Sequence, residues 1–340
     1  MRTALILFGL CSVTVMAFEP NDALFSKQYG LLKLGMPYVW KHTHGSSKVT
    51  IAVIDTGVQL DHEDLRHSIW KNPGEIGQDS LGGDKASNGI DDDGNGYIDD
   101  WRGWDFGNAD NDPSDVAGHG TICGGIITAK GNNEVGIAGV AWDAKLMALK
   151  VFTDNSELDE EDDVSAAVRY AVNMGAAVVN MSLGLDKYSK TLFDAVEYAR
   201  EKGVLVVASA GNDGRDNDQT PQYPANFKLG NVLSVAATDA EDKLTHFSNF
   251  GKETVHLAAP GWQIPTTDLN HKYLFSDGTS EAAPHVAGAA AILKAIYPAW
   301  TYEKIRERLI ATVDKRPELA GKMVSGGRLN LRQAIGRREQ

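Results

Sequence analysis

A hydroxyl heads a long run of small apolar residues in Ser280-Glu-Ala-Ala-Pro-His-Val-Ala-Gly-Ala-Ala-Ala-Ile-Leu. Pro284 is tolerable only in a first helical turn and Pro298 stops the run, so a buried helix is expected to begin near Ser280. Unpaired backbone N–H groups and the positive end of the helix dipole would favour an oxyanion formed beside that serine. A serine in such a position also serves simply as an N-cap. Carboxylates supply a second chemistry. In Asn88-Gly-Ile-Asp-Asp-Asp-Gly-Asn-Gly-Tyr-Ile-Asp-Asp100, oxygen ligands alternate at Asp91, Asp93 and Asn95, Gly96 allows the sharp turn, and Asp99 follows. This is the first half of an EF-hand-like Ca2+ loop. Arg102 stands where the bidentate glutamate would be, which leaves a residue such as Asp100 to close the shell. A solvated acidic turn is the other reading.

These groups need a frame that holds them together. The segments 49–54, 146–152, 177–181, 204–208 and 232–236 are short, β-branched and nearly continuous in apolar character, as strands buried on both faces are. Helical patterns at 164–174 and 191–202 lie between them. The units are therefore βαβ, and the expected class is α/β: a doubly wound, mostly parallel sheet with helices on both faces. Sites in such sheets lie outside the carboxyl ends of the strands. Asp55 directly follows one strand, Asn212 in Ala210-Gly-Asn-Asp-Gly214 follows another, and His119 opens a second small-residue helix in Gly118-His-Gly-Thr121.

Taken in order, Ile54-Asp-Thr-Gly57, Gly118-His-Gly-Thr121, Ala210-Gly-Asn-Asp-Gly214 and Gly278-Thr-Ser-Glu-Ala-Ala-Pro-His-Val-Ala-Gly288 resemble the subtilisin-like serine proteases, the thermitase-like branch in particular. An α/β-hydrolase would run Ser, Asp, His and carry Gly-x-Ser-x-Gly, whereas Ala282 occupies the second glycine position here. The resemblance spans 21–331 and implies a serine endopeptidase with a subtilisin-like fold. It implies that Ser280 attacks the scissile carbonyl, His119 carries the proton, Asp55 orients the imidazole and Asn212 donates to the oxyanion. The polypeptide substrate would lie as an added strand between Ser182-Leu183-Gly184 and the acidic segment after Phe152, where Glu157 and Asp159 would favour basic side chains. The resemblance also implies Ca2+ at Asp22, Asp64 and Asn133, and again at Asp105, Asp110 and Asp112. Glu281 departs from the family's usual uncharged residue, and the helix dipole is expected to keep it ionised. Cys123, one turn after His119, is expected to pack beneath the catalytic helix.

At 340 residues, with no linker or charge block, the chain reads as a single peptidase domain over 18–340. Residues 1–17 combine a basic start, a short apolar core and a small terminal residue, Ala17. They read as a signal peptide cleaved near Ala17, which makes the protein secreted, extracellular or periplasmic, with no membrane segment thereafter. Cys11 leaves with that segment, so Cys123 has no disulfide partner and bound Ca2+ is the expected staple. The net charge of −13 argues against nucleic acid. No propeptide is recognisable between signal and domain, so folding is expected to depend on calcium or on a separate inhibitor or chaperone.

Overall fold

The computed structural model describes residues 18–155 and 161–336. Its strands are β1 (Thr50–Asp55), β2 (Gly103–Asp105), β3 (Lys145–Lys150), β4 (Val178–Met181), β5 (Leu205–Ser209), β6 (Val232–Thr238), β7 (Leu257–Pro260), β8 (Ile264–Asp268), β9 (Lys272–Ser276), β10 (Asp314–Lys315) and β11 (Gly327–Arg328). Its helices are α1 (Tyr29–Leu34), α2 (Met36–Val39), α3 (His119–Thr128), α4 (Glu161–Asn173), α5 (Lys190–Glu201), α6 (Thr279–Ile296), α7 (Tyr302–Ala311) and α8 (Leu331–Ala334).

The main sheet runs β10-β11-β7-β6-β5-β4-β1-β3-β2. All its pairings are parallel except β10 with β11, and β8 with β9 form a separate antiparallel hairpin. This is the doubly wound α/β architecture expected from the apolar runs. Successive residues of β1 serve opposite layers. Ile51 and Val53 join the core that holds α3 and α6, whereas Ala52 and Ile54 join the core that holds α4 and α5. Burying each of the isoleucine and valine side chains contributes roughly 1.5–3 kcal/mol. A one-residue slip would exchange the two sets, so the register at Asp55 is strongly specified.

Two features differ from expectation or were not foreseen. Pro284 lies in the second turn of α6, not the first. Its missing N–H frees the Ser280 carbonyl that it would otherwise bond. That carbonyl instead accepts the Ser182 hydroxyl at 3.0 Å and the Cys123 thiol at 3.6 Å, so the helix continues without an orphaned acceptor. The β8–β9 hairpin packs on α3, where Thr266 and Thr267 donate their hydroxyls to the carbonyls of Ile122 and Thr121, both at 2.7 Å. A side chain at Gly125 would collide with Thr267, so the small face of α3 is what admits the hairpin. Among the described residues no helix is long and apolar enough to cross a membrane. The expected signal segment lies outside them.

Candidate active site

Asp55 ends β1 and is 1% exposed. Its Oδ1 accepts the Thr56 N–H at 2.8 Å and meets His119 Nδ1 at 2.7 Å. His119 is the first residue of α3, entered through Gly118 with φ +99°. A Cβ at Gly120 would collide with the Gly57 carbonyl, so glycine there brings the start of α3 against the end of β1. The Asp55 carboxylate pushes the imidazole up to about 9, and the nearby Glu281 charge acts in the same direction.

The sequence reading missed Asp115, which holds this helix start. Its oxygens accept the N–H groups of Ala117, Gly118 and Thr121 and the hydroxyls of Thr56 and Thr121, at 2.6–2.9 Å. The available signal was an aspartate just ahead of a helix start.

Ser280 is the second residue of α6, and its Oγ lies 3.3 Å from the Ser182 carbonyl. Asn212, after β5, accepts the Thr279 N–H at 2.8 Å and the Thr279 hydroxyl at 2.9 Å through Oδ1. That turns its Nδ2 donor away from Thr279. Ser182 and Leu183 are buried directly after β4, and a Cβ at Gly184 would collide with Gln222. Glu157 and Asp159 lie outside the described residues. The structure thus gathers an aspartate–histidine pair, a serine at a helix start and an asparagine at the carboxyl edge of one sheet, as acyl-transfer chemistry requires.

A model of the subtilase family matches residues 46–333. The chain belongs to that family. This subtilase is a serine endopeptidase of the thermitase-like branch. It is 37% identical to a thermophilic serine proteinase of Bacillus sp. (strain AK1) over 320 residues, which cover 94% of this chain and 70% of the relative. It is 36% identical to thermitase of Thermoactinomyces vulgaris over 319 residues, 94% of this chain and 99% of that one. Among solved structures, a protease of Pseudoalteromonas arctica PAMC 21717 matches with a TM-score of 0.76 at 27% identity, covering 93% of this chain and 98% of its own.

Two residues beside Ser280 are buried. Cys123 is fully buried, and burial pushes its thiol well above the ordinary range. Glu281 is 2% exposed, and burial raises its carboxyl against the pull of the dipole toward the ionised form. Desolvation outweighs the dipole there.

The acidic loops fall into three groups. Asp22, Asp64 and Asn133 come together. Asn133 donates Nδ2–H to Asp64 at 2.8 Å, and Asp22 accepts the N–H groups of Asn132 and Asn133 at 2.8 and 3.4 Å. Both carboxyls are raised by burial, Asp64 to about 6. In the second loop Asp93 and Asp100 gather with Glu75, ligand oxygens within 4.8 Å of one another. Glu75 was missed because it precedes the loop, yet it is fully buried and its Oε2 has no partner. The other oxygens of this loop are directed elsewhere. Asp91 accepts the N–H groups of Gly94, Asn95 and Gly96, Asp99 accepts that of Gly89, and Asn95 donates to Asp100 at 2.9 Å. The third set does not converge. Asp105 pairs with the buried ammonium of Lys150 at 2.7 Å, Asp110 caps the Asp112 N–H, and Asp112 faces Arg102 at 3.4 Å. A lysine takes up the carboxylate that was expected to meet an ion.

Proposed function

We propose that this subtilase is an exported endopeptidase that cleaves peptide bonds through an acyl-enzyme and is held together by calcium. Ser280 Oγ attacks the scissile carbonyl, and His119 takes its proton through Nε2 and returns it to the leaving amine. Asp55 fixes the tautomer from the Nδ1 side and stabilises the imidazolium. The Asn212 amide and the Ser280 N–H donate to the tetrahedral oxyanion at the positive end of α6. The observation that carries this reading is the 2.7 Å contact of His119 Nδ1 with buried Asp55, beside a serine at a helix start. Labelling with a fluorophosphonate tests it: the parent should label and Ser280→Ala should not. A parent that fails to label removes Ser280 as nucleophile.

The polypeptide substrate adds as a strand along Ser182-Leu183-Gly184, with Glu157 and Asp159 on the opposite wall. Export follows removal of residues 1–17, leaving 18–340 as one domain. A separate inhibitor or chaperone would assist folding.

Calcium fits two of the three acidic sets. Glu75, Asp93 and Asp100 offer only oxygen donors, and the orphaned Glu75 Oε2 is a buried acceptor awaiting a cation. Asp22, Asp64 and Asn133 offer a second oxygen-only set. Asp105, Asp110 and Asp112 do not fit, since Lys150 already neutralises Asp105. Bound calcium would supply charge balance and stability in this reading, and no step of peptide hydrolysis passes through it.

A further inference from the structure

The reaction proposed above gives Glu281 no task. It directly follows the nucleophile in the first turn of α6 and is 2% exposed. Its Oε1 accepts the Ser276 hydroxyl at 2.7 Å, while its Oε2 is buried without a hydrogen-bond partner. A Cβ built on Gly278 would lie 2.5 Å from that Oε2 and 3.5 Å from Asn212 Nδ2. A single missing side chain therefore separates the orphan oxygen from the amide that would meet the oxyanion.

The titratable groups around it come from every neighbouring element. His119 and Cys123 face it from α3, with Asp55 beyond them at the end of β1, and Asp277 lies in the turn ahead of α6. His285, one turn along the same helix, meets the Glu281 carbonyl at 2.8 Å through Nδ1. None of these is a lysine or arginine, so an ionised Glu281 would have only an imidazolium to balance it. A buried carboxylate with one oxygen left unpartnered is costly, and protonation removes both the charge and the unpartnered acceptor. The dipole of the first turn opposes this with a smaller effect. Burial accordingly raises the carboxyl above its ordinary range.

We propose that Glu281 is a positioning residue of the oxyanion site whose neutral form is the productive one and whose proton is lost on the alkaline side of the profile. Its carboxyl holds Ser276 and the Gly278 turn against Asn212, and loss of its proton places a negative charge beside the one that the tetrahedral intermediate creates. The inference rests on Ser280, His119, Asp55 and Asn212 acting as proposed above. Two effects of fixed sign follow. Ionised Glu281 opposes the oxyanion and lowers kcat. The same charge stabilises protonated His119 and holds the acid limb of the pH–rate profile at higher pH.

The test compares pH profiles of kcat and kcat/KM for the parent, Glu281→Gln and Glu281→Met on an uncharged peptide anilide. Gln keeps the Ser276 bond and cannot ionise. Its acid limb should fall by roughly one pH unit, with a several-fold higher kcat on the alkaline side. Met covers the case in which the Gln variant does not fold, and should move the limb in the same direction while lowering kcat through the lost Ser276 anchor. A purely structural carboxyl would leave the limb in place, so overlapping profiles would overturn the proposal. A shift with Met but not with folded Gln would also overturn it, because it would report packing and not charge. Fluorophosphonate labelling of the parent and of Ser280→Ala, run alongside, separates the two readings: a wrong nucleophile shows as a parent that does not label, not as profiles that coincide.

Discussion

Ser182 donates its hydroxyl to the Ser280 carbonyl at 3.0 Å, while the Ser280 hydroxyl lies 3.3 Å from the Ser182 carbonyl. The two serines face each other by side chain and main chain in both directions. This exchange is possible because Pro284 withdraws the helical N–H that would claim the Ser280 carbonyl. A residue of the proposed substrate wall is thereby fastened to Ser280. Ser182→Ala removes one of the two donors from a buried carbonyl and should cost about 0.5–1.5 kcal/mol in denaturant unfolding. It should also lower kcat/KM for peptide substrates, measured on long and short peptides. An unchanged rate on both would mean that wall and nucleophile are positioned independently.

The pH dependence has a defined sign. The imidazole of His119 is raised from 6.5 to about 9, chiefly by Asp55. Protonated His119 therefore stabilises the fold fully below about pH 6.5, and that contribution disappears as pH rises through about 9. Catalysis needs the neutral ring, so kcat/KM of the free enzyme should keep rising on the alkaline side of neutrality. Asp55→Asn should bring the limb down toward the ordinary histidine range and lower kcat by about 10⁴-fold. A parent limb already at the ordinary value would show that the Asp55 charge is not felt.

Calcium should stabilise the native chain by RT ln(1 + [Ca2+]/Kd), about 2.7 kcal/mol at a hundredfold excess over Kd. Excess EDTA should lower Tm, and Glu75→Gln should weaken the response. In the ion-free protein Asp64 is raised by burial from 3.8 to about 6. Its protonated form favours the fold, so this group should cost roughly 3 kcal/mol as pH rises from below 3.8 through about 6. Calorimetry of the chelated protein should show higher melting near pH 4 than at neutrality, and Asp64→Asn should flatten that slope. Melting indifferent to EDTA would remove both ion assignments.

Cys123 lies with Asp55 and His119 such that carboxylate, imidazole and thiol ligand atoms fall within 4.8 Å of one another. Mercuric ions that reach this group should inhibit by drawing His119 away from its task. Cys123→Ser should keep most activity, since its hydroxyl can still donate to the Ser280 carbonyl, and should resist mercury. Complete loss of activity in that variant would contradict a packing role.

The β-branched strands were legible in the sequence because a strand covered on both faces must be apolar at consecutive positions, as 51–54 are. The placement of Asp55, Asn212, His119 and Ser280 at strand and helix ends was legible because each sits in a short glycine-bearing segment. Glu75 and Asp115 were not. Their importance comes from the fold bringing buried oxygens against a loop and a helix start that sequence spacing alone does not join. Glu281 was visible, but its burial was not. The hairpin strand that supplies Ser276 carries no sign in the sequence of packing there. Lys150, inside an apolar strand, gave no hint that it would answer Asp105.

That lysine has a further consequence. Lys150 also reaches Asp154, so one tethered cation joins β2 to the segment leaving β3. An ammonium carried on a side chain cannot leave the molecule, so its presence does not depend on the calcium concentration. This corner of the molecule should stay docked at any calcium activity, while the corners at Asp64 and Glu75 loosen as their ions leave. Ion depletion would then open the molecule in a set order, and hydrogen exchange should spread from those two loops while the backbone around Asp105 is still protected.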